Sequence, residues 1–332
     1  MKTVGLLTSG GDAPGMNAAI RAVVRTGIYY DLEIIGVNRG YAGLIEGEFE
    51  YMDRSSVADI IHRGGTILHS ARSKEFKTKE GREKAYTKMK KIGMEGLIVI
   101  GGDGSFHGAK KINEESNIKT IGIPGTIDND LACTDYTIGF DTAMNTVLDA
   151  INKIRDTATS HERTFVIETM GRHSGFLTLM AGLAGGAESI LIPEIDFTID
   201  DVCKKIKKGF KRGKLHSIIL LAEGVDEQFK TNRDINKSNA FYLGQEIEKR
   251  IDLETRVIIL GHLQRGGSPT AMDRILASRM GAKSIELVLA GESGKMIGFI
   301  NNKIKSFTIR EALDSKKEIN TEIYDLAHIL SL

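Results

Sequence analysis

Gly96-Leu-Ile-Val-Ile-Gly101-Gly-Asp-Gly-Ser105 and Lys119-Thr-Ile-Gly-Ile-Pro124-Gly-Thr-Ile-Asp-Asn-Asp130 are the two stretches that decide the fold. Each is a short, continuous apolar run that opens into a loop of glycines, acids and hydroxyls. Helical periodicity runs between them to about Glu115. Continuous apolar runs of this length, separated by a helix, are the pattern of parallel strands buried on both faces. Open α/β sheets place ligands at the loops beyond the carboxyl ends of such strands. The expectation is that one loop holds a phosphate–Mg²⁺ unit and the other holds the group that attacks it.

The alternation extends outward in both directions. Lys2–Thr8 reads as a buried strand, followed by Ser9-Gly-Gly-Asp-Ala-Pro-Gly15 and a helix from Met16 to Tyr30. A glycine-freed loop before a helix offers unpaired N–H groups and a positive dipole end, which suits an anion. It has neither Gly-x-Gly-x-x-Gly nor a Walker lysine, and on its own such a turn is more often just a tight connection. Glu33–Asn38 is the next strand, and a polar glycine-marked loop runs from His62 to Ser73. Lys74–Lys91 reads as a charge-rich surface helix. Past residue 140 the predicted elements are a helix at Asp141–Thr157, a strand at Thr164–Thr169 and a helix near Ser174–Leu183. They continue with a strand at Ser189–Ile192, a helix at Ile199–Arg212 and a strand at Ser217–Glu223. A helix then runs to Arg250, with a strand at Arg256–Leu260 and a helix at Thr270–Leu289. Segment 225–239 is polar and reads as an exposed loop. The whole is a doubly wound α/β chain with two domains.

Composition narrows the classes. The 332 residues carry 45 Lys+Arg against 44 Asp+Glu, a formal net charge of +1, so a general nucleic-acid surface is not expected. Cys133 and Cys203 are isolated, with no CxxC or zinc spacing, which points to a reducing compartment. The N-terminal apolar run is too short for a signal peptide, and no run approaches the ~20 apolar residues of a membrane helix. A soluble, cytoplasmic protein is expected.

Collected from the strand ends, the chemistry-bearing residues are Gly11, Arg72, Asp103, Ser105, Thr126, Asp128, Asp130, Met170, Arg172, Glu223, Arg256, His262 and Arg265. Acids that can hold Mg²⁺ or take a proton, among arginines that neutralise phosphate, suit a phosphoryl transferase. Here the sequence resembles a known family. Gly-Gly-Asp-Gly-Ser at 101–105, Pro-Gly-Thr-Ile-Asp-Asn-Asp at 124–130, Met-Gly-Arg at 170–172 and Gly-His-Leu-Gln-Arg-Gly-Gly-Ser-Pro at 261–269 are together similar to bacterial ATP-dependent 6-phosphofructokinases. Thr-Ser-Gly-Gly-Asp-Ala-Pro-Gly-Met-Asn at 8–17 matches as well, and the similarity covers essentially the whole chain.

The resemblance implies two doubly wound three-layer α/β/α domains with mostly parallel sheets. Residues 1–139 with 266–315 would bind ATP, and 140–265 with 316–332 would bind fructose 6-phosphate. It implies Asp128 as the general base for the C1 hydroxyl, Asp103 as the Mg²⁺ ligand with Asp130 nearby, and Thr126 orienting the transferred phosphoryl group. Arg72 and Arg172 would neutralise charge on that group. Gly11, Arg72, Ser73, Gly102, Asp103, Gly104 and Ser105 would meet ATP. Thr126, Ile127, Met170, Gly171, Arg172, Glu223, His262, Leu263, Gln264 and Arg265 would contact the sugar phosphate, with Arg163 and Arg256 reaching in from a neighbouring subunit of a homotetramer.

Arg21 and Arg25, one helical turn apart, read alone as solvated surface. The resemblance groups them with Arg54, Asp59, Arg155, Gly186, Glu188, Arg212, Lys214 and His216 as an effector site. ADP or GDP as activator and phosphoenolpyruvate as inhibitor are implied there.

Two alternatives stand beside this reading. In pyrophosphate-dependent members, Asp and Lys take the positions of Gly104 and Gly125, so the glycine pair implies ATP. A non-catalytic nucleotide sensor would be expected to lose a catalytic acid, and Asp103, Asp128 and Asp130 are all present. The sequence departs from the family in the length of segment 225–239 and in Ser73-Lys74, where a proline-containing loop is usual.

Overall fold

The structure, a computed structural model, describes residues 2–225 and 238–331. In chain order the strands are β1 (Thr3–Ser9), β2 (Glu33–Val37), β3 (Phe49–Met52), β4 (Gly96–Gly101), β5 (Lys119–Pro124), β6 (Thr164–Thr169), β7 (Ser189–Leu191), β8 (Ser217–Ala222), β9 (Thr255–Ile259), β10 (Lys295–Ile300) and β11 (Lys303–Thr308). The helices are α1 (Met16–Tyr29), α2 (Gly40–Glu46), α3 (Lys79–Lys91), α4 (Asp103–Glu115), α5 (Phe140–His161), α6 (Phe176–Gly185), α7 (Ile199–Lys211), α8 (Asn239–Ile251), α9 (Ala271–Leu289), α10 (Ile309–Asp314) and α11 (Thr321–Leu330). The chain forms two compact units, Met1–Thr142 with Arg265–Lys317 and Ala143–Gln264 with Glu318–Leu332.

The first unit is built on a seven-stranded sheet in the order β11-β10-β5-β4-β1-β2-β3. Its interior pairs are parallel, and only the edge pairs β2–β3 and β10–β11 are antiparallel. β1 and β4 are buried along their whole length, as strands covered on both faces must be. Leu7, Ile35, Leu97 and Val99 pack on one face with Tyr41, Met89, Phe106 and Ile112 from α2, α3 and α4. On the other face Gly27 of α1 lies against Ile34 of β2, and α1 packs closely on α9. A Cβ at Gly281 would come within 2.6 Å of Ala22 and 2.9 Å of the Ala19 carbonyl, so this helix contact requires glycine. Ser9 pairs with Gly101 and Gly101 with Pro124, so the loops after β1, β4 and β5 leave the sheet at one edge.

The second unit holds a four-stranded, all-parallel sheet in the order β7-β8-β6-β9. Thr169 pairs with Ala222, and Glu168 with both Leu221 and Ile259, so residues 170–173, 223–224 and 260–262 also leave one edge together. No helix among the described residues is long and apolar enough to cross a membrane.

Two departures from the sequence reading have local causes. α3 begins at Lys79, not Lys74, because the Thr78 hydroxyl accepts the Gly81 N–H at 3.1 Å and caps the helix there. The preceding Glu75–Lys77 forms a 3₁₀ turn. Edge strands β3 and β11 are largely solvent-facing, so they carry no apolar run to read. Residues 226–237 of the expected exposed loop lie outside the described residues, while Val225 and Asn239 at its ends are buried.

Candidate active site

In the first unit, β1 gives way at Ser9 to a loop that turns through Gly10 (φ +88°) and ends at Gly15 (φ +105°), the N-cap of α1. No side chain caps α1, and its first N–H, at Met16, donates back to the Ala13 carbonyl at 3.2 Å. The loop is laced to segment 62–73. Ser70 donates to the Gly10 carbonyl at 2.6 Å, and Thr8 donates to the His69 carbonyl at 2.8 Å. Buried Asn17 holds the Arg63 and Gly64 carbonyls and the Ile67 N–H. Arg72 is exposed beside this lacing, and the Ser73 hydroxyl accepts the Phe76 N–H at 3.1 Å. Ser73 therefore caps a turn locally.

β4 passes directly into α4. Gly101 is boxed: a Cβ there would meet Ser105 Oγ at 2.4 Å and the Ser9 carbonyl at 2.5 Å. Ser105 donates to that same Ser9 carbonyl at 2.9 Å, joining the two loops. A Cβ at Gly102 would lie at ordinary contact distance, 3.4 Å, from Thr126, whereas one at Gly104 would meet nothing within 4 Å. Gly125 differs. Its Cβ would press on Ile100 at 3.0 Å and Met16 at 3.3 Å, so its missing side chain faces the core and not open space. Asp103 sits in the first turn of α4, where a carboxylate complements the helix dipole, with His107 Nε2 at 3.6 Å. No cluster of three or more His, Cys, Asp or Glu among the described residues could hold a metal by itself. One half-exposed carboxylate nevertheless suits Mg²⁺, which keeps several waters and is usually carried on substrate phosphates.

Loop 125–130 is held by the segment after it. The Thr126 N–H donates to the Ile138 carbonyl at 3.1 Å, and Thr137 donates to the Thr126 carbonyl at 2.6 Å. Asn129, in the left-handed region at φ +52°, accepts the Thr137 N–H and donates to the Asp135 carbonyl. Asp128 is 8% exposed, and its N–H donates to Thr126 Oγ1 at 3.2 Å. That bond occupies a lone pair of the threonine oxygen and leaves its O–H to point elsewhere. Ile127 is 0% exposed, so its side chain belongs to the core and the expected substrate contact could come only from its backbone.

Arg265 also lies in the first unit, with Nη1 donating to the Asp12 carbonyl at 3.1 Å. A Cβ at Gly11 would come within 2.4 Å of that nitrogen, so the bare backbone at Gly11 lets the guanidinium lie against the loop.

In the second unit, Glu223 Oε1 accepts the Gly171 N–H at 3.2 Å and the Arg172 N–H at 2.8 Å. Arg172 is left-handed at φ +57°, Gly171 has φ +148°, and the Arg172 side chain is exposed. Gly224 allows this packing, since a Cβ would meet the Arg172 carbonyl at 2.4 Å. Glu223, half-buried, thus shapes the Met170–Arg172 turn. Gln264 is 0% exposed, and its side chain accepts the Met170 N–H at 3.1 Å and donates to the Gly261 carbonyl at 2.9 Å. It straps two loops together through its buried side chain. His262 and Leu263 are exposed beside it. Arg163 Nε donates to Glu254 at 2.7 Å and Arg256 pairs with the same carboxylate, whose pKa is lowered chiefly by Arg163. Glu254, which the sequence reading did not single out, gathers both arginines within one chain.

The expected effector residues divide between the units. Arg21, Arg25, Arg54 and Asp59 belong to the first, and Arg155, Gly186, Glu188, Arg212, Lys214 and His216 to the second. In the second, buried Glu188 pairs with Lys214, accepts the Ile218 N–H and lies 3.8 Å from Arg155 Nη1. Arg155 also donates to the Gly185 and Gly186 carbonyls. Burial lowers the His216 pKa, so its neutral form is favoured. Arg212 is exposed.

Comparison with known proteins adds a family. A phosphofructokinase family model matches residues 3–288. The chain is 72% identical to an ATP-dependent 6-phosphofructokinase from Halothermothrix orenii and 57% identical to one from Bacillus subtilis, in each case over 100% of both chains. Among solved structures it is similar to phosphofructokinase from Saccharomyces cerevisiae, with a TM-score of 0.89 and 35% identity. That match covers 100% of this chain and 48% of the yeast chain. A pyrophosphate-dependent phosphofructokinase from Marinobacter aquaeolei shares the fold, with a TM-score of 0.84 at 23% identity over 97% of this chain and 86% of the other.

Proposed function

Because the chain belongs to the phosphofructokinase family, we propose that it transfers the γ-phosphoryl group of Mg-ATP to the C1 hydroxyl of fructose 6-phosphate, giving fructose 1,6-bisphosphate and ADP. The observation that carries this reading is the pairing, in one unit, of the open α4 terminus at Asp103–Gly104 with the buried, braced Asp128 loop.

Asp128 takes the C1 hydroxyl proton as the phosphoryl group departs from ADP. Positioned bases of this kind contribute roughly 10²–10⁴ in rate, and charge neutralisation supplies much of the remainder. Thr126 donates its O–H toward the transferred group. Arg72 and Arg172 neutralise charge there, and the Gly11 N–H faces the phosphates. Arg265, lying at Gly11–Asp12, brings one more cation to the same loop, in addition to its expected role toward the sugar phosphate. Mg²⁺, held by Asp103 and phosphate oxygens, supplies further neutralisation when bound. Met170, Glu223 and His262 hold fructose 6-phosphate, with Arg163 and Arg256 acting across subunits of a homotetramer. ADP or GDP activates and phosphoenolpyruvate inhibits at the Arg21–His216 set. A cytoplasmic location belongs to the same proposal.

A steady-state assay with fructose 6-phosphate tests it, comparing ATP with pyrophosphate and adding ADP or phosphoenolpyruvate. Turnover with ATP alone among the donors supports the reading. Turnover with pyrophosphate, or with neither donor, overturns it.

A further inference from the structure

We infer that Lys317 is a positioning residue for the loop that carries Asp128, acting through the Asp135 carbonyl it shares with Asn129. This rests on the base role proposed above for Asp128.

The connection is short and direct. Lys317 Nζ donates to the Asp135 carbonyl at 3.0 Å, and Asn129 Nδ2 donates to the same oxygen at 3.1 Å. Asn129 stands between Asp128 and Asp130 with a left-handed backbone, a conformation that persists only where its surroundings over-determine it. Its other amide atom accepts the Thr137 N–H at 3.0 Å. Asp135 is itself fixed from the β10–β11 hairpin: its N–H donates to Phe299, and its carboxylate accepts the Asn301 N–H at 2.9 Å. The carbonyl thus has a stationary frame on one side and the base loop on the other. An ammonium on it adds a charge-assisted bond, roughly twice as strong as a neutral one.

Charge points the same way. Burial lowers the Lys317 pKa to about 8, while the Asp135 and Asp130 carboxylates raise it, so the ammonium persists at neutral pH. A half-buried lysine carries a desolvation cost, and here the acids that offset it belong to the base loop and its brace.

The test uses the full-length enzyme with Mg-ATP and fructose 6-phosphate. A misplaced reacting group can cost ~10²-fold, so Lys317→Met should lower kcat by about 10- to 100-fold, with KM for both substrates held within about twofold. Lys317→Arg, which keeps the donor and the charge, should recover most of the rate. The decisive measurement is a double-mutant cycle. In an Asp128→Asn background, Lys317→Met should cost less than about twofold more, because residues acting as one unit are non-additive. Equal losses in both backgrounds, or an unchanged kcat in the single variant, would overturn the inference. If Lys317→Met does not fold, Asn129→Ala in the same cycle reads out the same link. Near-normal turnover in Asp128→Asn alone would instead defeat the base assignment, so the two failures are distinguishable.

Discussion

Gly104→Asp separates donor choice from stability. Position 104 lies in the first turn of α4, and a Cβ there meets nothing within 4 Å, so the fold loses no packing. A carboxylate near a helix N-terminus is worth about 0.3–1 kcal/mol, and replacing a helical glycine adds a similar amount. The variant should therefore unfold at equal or higher urea. Its effect on ATP has the opposite sign. If the side chain enters the space that an α-phosphate takes, two negative charges approach to about 4 Å, and at an effective dielectric of about 20 they repel by roughly 4 kcal/mol. At about 1.4 kcal/mol per decade, kcat/KM for Mg-ATP should fall about 10³-fold. The assay is kcat/KM for Mg-ATP at saturating fructose 6-phosphate, paired with urea unfolding of the same preparation. A folded variant whose kcat/KM stays within about threefold of the parent would refute the reasoning, since ~0.7 kcal/mol is too little for a charge in the donor's path. Gly125→Ala is the control, because its methyl would crowd Ile100 and Met16. Overpacking costs about 1–3 kcal/mol, so this variant should lose stability first.

Asp128→Ser should lower turnover by about 10²–10⁴ while calorimetry still detects fructose 6-phosphate binding, and near-normal turnover would sink the base assignment. Glu223→Ala leaves the Gly171 and Arg172 amides without their carboxylate, so kcat should fall by roughly 10- to 100-fold with KM for ATP unchanged; a change confined to sugar affinity would show that Glu223 does not position Arg172. Asp273, 1% exposed at the start of α9, accepts the Gly139 and Thr142 N–H groups at the N-terminus of α5. Burial raises its pKa from 3.8 to about 6, so folding takes up a proton between those values. Stability from this group is present below about pH 4 and is lost as pH rises through about 6, by roughly 3 kcal/mol. The unfolding free energy of the parent minus that of Asp273→Asn should therefore fall by about that amount between pH 4 and 7, and a constant difference would refute the assignment.

What could be read in the sequence follows from what hydrophobic pattern reports. β1, β4, β5, β6 and β8 are continuous apolar runs because both faces are covered, and all are legible. β3 and β11 sit at sheet edges with polar faces in solvent, so nothing periodic marks them. In the candidate site, glycine spacing locates the loops but not the direction of the missing side chains. Gly104 and Gly125 look equivalent in sequence, yet one faces open space and the other faces Ile100. Ile127 and Gln264 lie within the right motifs but turn inward. Glu254 lies two residues from Arg256, close enough to suspect a pair, whereas its bond to Arg163 depends on β6 lying beside β9. Lys317 is 182 residues from Asp135, a separation across which no local pattern marks a contact.

The backbone at the functional loops carries one further argument. Asn129 and Arg172 adopt left-handed conformations that glycine would enter without cost, and His69, before Arg72, does the same. Each such residue costs roughly 1–2 kcal/mol relative to an ordinary conformation. The cost is offset at the first two positions by named partners: Thr137 and Asp135 hold the Asn129 side chain, and Glu223 holds the Arg172 N–H. Glycine at either position would ease the backbone but remove the side chain that the proposed chemistry needs, a brace in one case and a cation in the other. Strain retained beside a specific hydrogen-bonding partner implies that the side chain, more than the turn, is what these positions provide.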